Sequence, residues 1–285
     1  MSCGKITRPS RPVCADDGTP LKSGTMPKMY LFNLEDVLTV TESTSTPNLL
    51  TAITMATNTV SYVFEGYKQD VKPTQEFVVP GNGGTMFKHM LNFIVYDISQ
   101  LQKNNLQRMA KGKFVAIVEN KGKNEDSFEV YGLGSGMEIV PGVARDTNAN
   151  GGGYIITLAT LETESEPLLP QTFFTTDYAT TLTAVNELAG LPTVTVISDL
   201  VLQVAGGDAE TITGTNFYGN GSSSAVTSVQ WINQVTLQAT TQTGITVASD
   251  TSLTFTSVAL AAGTYRLRVN TLRGSADSTQ VAIAA

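Results

Sequence analysis

Apolar residues in this chain come in short runs, and that limits what it can fold into. The longest, such as 114-FVAIV-118, fall far below the roughly 20 residues of a bilayer-spanning helix. Several runs alternate. Val60, Tyr62 and Phe64 fall at every second position, the period of a half-buried strand. One segment, 97-DISQLQKNNLQRMAKG-112, breaks this rule. Its Ile98, Leu101, Leu106 and Met109 lie at helical offsets, with Asp97 placed to cap the start and Gly112 to end it. Many short strands around one good helix predict an α+β fold with a mostly antiparallel sheet.

Three regions follow. Residues 1–28 hold Lys5, Arg8, Arg11, Lys22 and Lys28 against two acids, with four prolines and no hydrophobic period, which reads as an extended arm. Residues 29–190 carry strands at 29–41, 60–71, 86–97, 113–120, 127–134, 136–140 and 154–164. A Thr/Ser-rich loop is expected at 42–58, a turn at 81-GNGG-84, and a short helix at 182–190. From 193 to 285, Val/Thr-rich runs separated by turn residues predict a small all-β sandwich.

The net charge of −7 argues against a general nucleic-acid binder, which would show a basic face. It leaves room for a wall that repels phosphate and lets it pass. Cys3 and Cys14 do not match a metal or redox spacing and read as two free thiols. The N-terminus has basic residues but no apolar segment after them, so no Sec signal is expected and synthesis in a cytoplasm is.

Several stretches invite chemistry and fail their own rules. The run 146-DTNANG-151 copies half a calcium loop, but its twelfth position is Thr157 and not an acid. In 132-GLGSGM-137 the third glycine of a dinucleotide fingerprint is replaced by Met137, so glycines permitting a bulge or close packing are expected. His89 is the only histidine and has no nucleophile elbow to serve. Glu162, Glu164 and Glu166 alternate, and in a strand they would share one face lining water or a channel. No constellation supports an enzyme or a cofactor.

The segments 64-FEGY, 87-FKHMLNFIVYD, 109-MAKGKFVAIVEN, 128-FEVYGLGSGMEI, 153-GYIITLATLETESEPLLP and 171-QTFF together resemble tail tube proteins of tailed bacteriophages, over about residues 29–190. That resemblance implies two packed antiparallel sheets, one flanking helix, a long loop and an arm. It also implies rings, six subunits each in that family, whose sheets join into an inner barrel that conducts DNA. Glu162, Glu164 and Glu166 would then face the lumen, and the arm with Lys5, Arg8 and Arg11 would bridge rings. Residues 193–285 resemble an Ig-like domain of the IPT/TIG type, through Ile212, Gly214, Asn216, Phe217 and 263-GTYRLRV-269. In it Gly214 would permit a turn, Asn216 would bond the loop, and Phe217 would pack with Trp231 and Tyr265 at the first corner of the sandwich.

The expected function is a virion structural protein, assembled in a host cytoplasm, with other tail proteins and passing DNA as partners. Other virion parts of related fold remain open: a tail terminator, a baseplate ring or a head decoration. So does an adhesin that holds cell-surface glycans through 193–285.

Overall fold

The structure, a computed structural model, describes residues 24–285 apart from 58, 60, 67–69, 80–83, 143–144 and 146–149. Lys5, Arg8, Arg11, both cysteines and most of the two loops at 81–84 and 146–151 lie outside the described residues.

The first half opens with β1 (Thr25–Asn33), β2 (Val37–Glu42), β3 (Leu49–Met55) and β4 (Ser61–Glu65). The hairpin β5 (Lys72–Val78) and β6 (Met86–Val95) precedes helix α1 (Gln100–Met109). Then come β7 (Phe114–Asn120), β8 (Phe128–Tyr131), β9 (Glu138–Ile139), β10 (Tyr154–Ala159), β11 (Gln171–Phe173) and α2 (Tyr178–Leu188). Seven strands form a sheet in the order β2-β3-β11-β8-β7-β1-β4, and four form a second in the order β5-β6-β10-β9. All pairings are antiparallel except β11 with β3.

The seven-stranded sheet is covered on both faces. Met29, Leu31, Ala116, Val118 and Tyr131 pack on Leu91, Phe93, Val95, Ile156 and Leu158 of the second sheet, with Leu106 and Met109 of α1 closing the end. Tyr30, Phe32, Val115, Ile117, Phe128 and Val130 pack on the other side with Val185 and Ala189 from α2 and the residue that caps it. A strand buried on both faces needs apolar residues at every position, which is why 29-MYLF-32 and 114-FVAIV-118 do not alternate.

The second half holds β12 (Thr193–Ile197), β13 (Val201–Leu202), β14 (Ala209–Thr215), β15 (Val226–Asn233) and β16 (Ala239–Thr241). It ends with β17 (Thr243–Ser249), β18 (Ser252–Thr256), β19 (Gly263–Thr271) and β20 (Ser275–Ala284). The sheets β12-β14-β18-β17 and β13-β20-β19-β15-β16 enclose one core. Trp231, Phe217, Phe255, Tyr265, Ile212 and Leu267 fill it.

Several expectations need correction. The run 29–41 is two strands, broken by a 3-10 turn at Leu34–Asp36. The expected loop at 42–58 contains β3, and β5 was not foreseen. The helix expected at 182–190 is α2 and begins earlier, at Tyr178, so two helices are described where the resemblance implied one. Ser99, not Asp97, caps α1: its hydroxyl accepts from the Gln102 amide, while Asp97 accepts from the Ser99 amide. Leu101 is exposed, so the buried stripe of α1 reduces to Leu106 and Met109.

Gly214 lies inside β14, where a Cβ would sit 1.9 Å from the Thr193 carbonyl oxygen of β12. Its role is close approach of two backbones and not a turn. Gly214→Ala should therefore cost about 3 kcal/mol through overpacking. Urea unfolding followed by Trp231 fluorescence checks this, because the only tryptophan reports on this core alone. An unchanged midpoint would refute the close approach.

Candidate functional site

The four-stranded sheet presents the surface best built for contact. Among the described residues, β5 and β9 are the end strands of this sheet, and beside β9 only Met137, just before it, exchanges backbone hydrogen bonds with Phe114 of β7. Its core-facing side carries His89, Leu91, Phe93 and Val95 from β6. Its other side carries Lys72, Thr74, Glu76, Lys88, Met90, Asn92 and Thr157, exposed or half-buried. Phe77 pairs across the hairpin with Phe87, their rings 5.4 Å apart on the core-facing side. Yet Phe77 is 77% exposed and Val79 73%. The hairpin end runs past its cover and displays apolar side chains.

A polar hub fixes that end. The backbones of Phe87 and Glu166 exchange two 2.8 Å hydrogen bonds, so the segment after β10 docks beside β6. The Glu166 carboxylate, buried, accepts the amides of Gly134 at 2.9 Å and Ser135 at 2.8 Å. Gly132 and Gly136 hold this turn with φ of 72° and 79°, values that favour glycine. The turn 132-GLGSGM-137 is thus a nest of amides that binds an anion, and the anion is the chain's own carboxylate. His89 completes the hub. Its Nδ1 accepts from the Gly132 amide at 3.1 Å, and its Nε2 bonds the Leu168 carbonyl at 3.0 Å. This fixes a neutral ring, and burial pushes its pKa down to about 4.

The three glutamates do not share a strand face. β10 ends at Ala159, and Glu162–Glu164 form a 3-10 turn. Glu162 lies 3.5 Å from Lys88, Glu164 pairs with Lys113, and Glu166 fills the nest. The ladder makes its last rung only in part at Thr160: its amide donates to the His89 carbonyl, but its hydroxyl, and not its carbonyl, accepts from the His89 amide.

The stretch 211-TITGTNFYG-219 has a second role that sequence reading missed. Asn216 and Asn220 both adopt positive φ. The Asn216 side-chain amide donates to the Leu191 carbonyl at 2.9 Å, and that of Asn220 donates to the Leu188 carbonyl at 3.0 Å. Arg273 donates to the Gly219 carbonyl, and Ser61 to that of Ala189. Phe217 packs with Trp231 and Tyr265 as expected, but Asn216 bonds the linker after α2 and not its own loop. The signal that could have exposed this was two asparagines flanking glycine at left-handed positions.

Among the described residues, no three His, Cys, Asp or Glu side chains cluster as a metal site, and no helix is long and apolar enough to cross a membrane.

No protein-family model and no curated protein matches the chain. Solved structures overlap it weakly. SGBP-B from a complex xyloglucan utilization locus in Bacteroides uniformis aligns at 14% identity and TM-score 0.24 over 65% of this chain, and the chain spans under half, 46%, of that structure. SGBP-B of the Bacteroides ovatus mixed-linkage glucan utilization locus, in complex with a mixed-linkage heptasaccharide, aligns at 12% and 0.24, covering 93% of this chain and 55% of that one. The mouse coronavirus receptor-binding domain, complexed with its murine receptor, aligns at 10% and 0.21, covering 94% and 87%. Overlaps this low carry no argument about fold or function.

The neutral His89 makes stability depend on pH. Its folded pKa lies below the ordinary 6.5, so the unfolded chain takes the proton first as pH falls. The contribution is complete above about 6.5, is lost between 6.5 and 4, and amounts to about 3 kcal/mol. His89→Asn, which keeps an acceptor for Gly132, should flatten this part of the profile in urea titrations from pH 7 to 4. A parallel profile for the variant would show that His89 does not carry the effect.

Proposed function

We propose that the chain is a subunit of a phage tail tube that stacks as rings around a DNA conduit, with the second half as an external Ig-like decoration. The observation that carries this reading is the four-stranded sheet. Its strands alternate in direction, β5 against β6, β6 against β10, β10 against β9. An even number of alternating strands lets β9 of one copy meet β5 of the next without breaking the antiparallel pattern. Joining them closes two open edges at every contact, and closed rings remove the aggregation hazard that open edges create.

In such a ring the face with Lys72, Glu76, Lys88, Asn92 and Thr157 lines the conduit, in place of Glu162, Glu164 and Glu166 as a set. Two lysines there are balanced by Glu76 and by Glu162 beside Lys88, while Glu138 on the edge strand pairs with Lys113. A near-neutral wall holds no phosphate, and DNA passes without sticking. Glycan binding by the sandwich has less to stand on. Four of its five aromatics, Phe217, Trp231, Phe255 and Tyr265, are buried in its core, which leaves only Tyr218 half-buried.

Negative-stain microscopy and native mass of the full chain at high concentration test the reading. Rings or stacked tubes are expected, and deletion of 193–285 should leave them intact. A truncated chain that stays folded but forms no rings would refute the decoration role. A strict monomer at every concentration, seeded or not, would refute the conduit.

A further inference from the structure

Each open edge of the four-stranded sheet carries a matching feature on the same side. At the β5 edge, Phe77 and Val79 project from the core-facing side, exposed. At the β9 edge, α1 stands off the sheet and leaves a groove of about 630 Å³. Lys103, Leu106, Ala110, Ile139, Val140 and Tyr154 are among its lining residues. Leu106 belongs to the core between the sheets, with Ile139 and Tyr154 packed against it, so this groove also lies on the core-facing side.

We infer that Phe77 of one copy seats in the groove between α1 and β9 of the next, a lateral lock that rests on the ring reading and names its contact. The register supports it. Phe77 is level with Phe87, whereas Ile139 is level with Leu158 and so with Leu91, four residues further along β6. Bringing Phe77 level with Ile139 needs a stagger of about 14 Å at about 3.4 Å per residue. Closed sheets tilt their strands by about 35–45°, which gives a four-strand unit about 19 Å wide a stagger of about 13–19 Å per copy. The required offset falls within the range that such a tilt gives.

The buried area narrows the occupant. Burying Phe77 and Val79 removes on the order of 300 Å² from water, short of the ~800 Å² that each partner of a stable pair commonly buries. The occupant must therefore bring a strand edge as well as an aromatic side chain. A second copy brings both.

The test is disulfide trapping of the full chain in a background with Cys3→Ser and Cys14→Ser. Protein with Phe77→Cys is mixed with protein carrying Val140→Cys and oxidised. The expected result is a heterodimer that forms at least tenfold faster than the control pair of Phe77→Cys with Val235→Cys, whose partner site is exposed in the sandwich. Adding Ala110→Trp to the Val140→Cys partner, with its fold checked by circular dichroism, should remove that advantage by filling the groove. Equal rates for the two pairs, or an advantage that survives Ala110→Trp, would overturn the lock. Rings seen by microscopy with unselective trapping would sink the lock and spare the conduit. Selective trapping without rings would do the reverse.

Discussion

The two-sided burial of the seven-stranded sheet governs the arrangement of the first half. Tyr30, Leu31 and Phe32 on β1 and Val115, Ala116 and Ile117 on β7 point alternately to opposite faces and are all buried. Such strands cannot leave either face wet, since each large apolar side chain loses about 1.5–3 kcal/mol when exposed. One face takes the four-stranded sheet, the other takes α2. The second sheet then has one face spent against the first and one face free, and its edge strands are left over. The surface offered for contact is a by-product of how the core is covered.

A small polar hub turns that cover into a defined shape. Glu166 and His89 are buried polar side chains, and each finds backbone partners. An unpaired buried carboxylate would be far more costly than one held by two amides. Three segments that are distant in sequence, β6, the turn at 132–137 and the stretch at 160–168, are tied at one point. That point sits directly below the displayed end of the hairpin, at Phe87.

The sequence pattern made parts of this plain and hid others. Unbroken apolar runs at 29–32 and 114–118 marked the buried strands, and the offsets of Leu106 and Met109 marked α1. β3, though flanked by β2 and β11, escaped because it has one fully buried residue, Leu50, among exposed and half-buried ones, and β5 escaped because it is an edge strand and mostly solvent-facing. The polar residues of 72-KPTQEFV-78 carry no apolar period for that reason. The alternating glutamates misled for another reason: period two in sequence does not make a strand when the ladder ends before them, at Thr160, whose hydroxyl takes the place of its carbonyl opposite His89. The nest at 132–137 was visible as glycines, but its ligand lies some thirty residues away. Contacts of that span belong to tertiary structure and leave no local pattern.

The grip of the sandwich on the first half has one more consequence. Asn216 and Asn220 hold main-chain carbonyls of Leu188 and Leu191, so they sense the course of the backbone and not the identity of those side chains. A joint of this kind tolerates sequence drift in the helix end it clasps. The same sandwich could be carried from one host protein to another, provided the receiving helix ends along the same path.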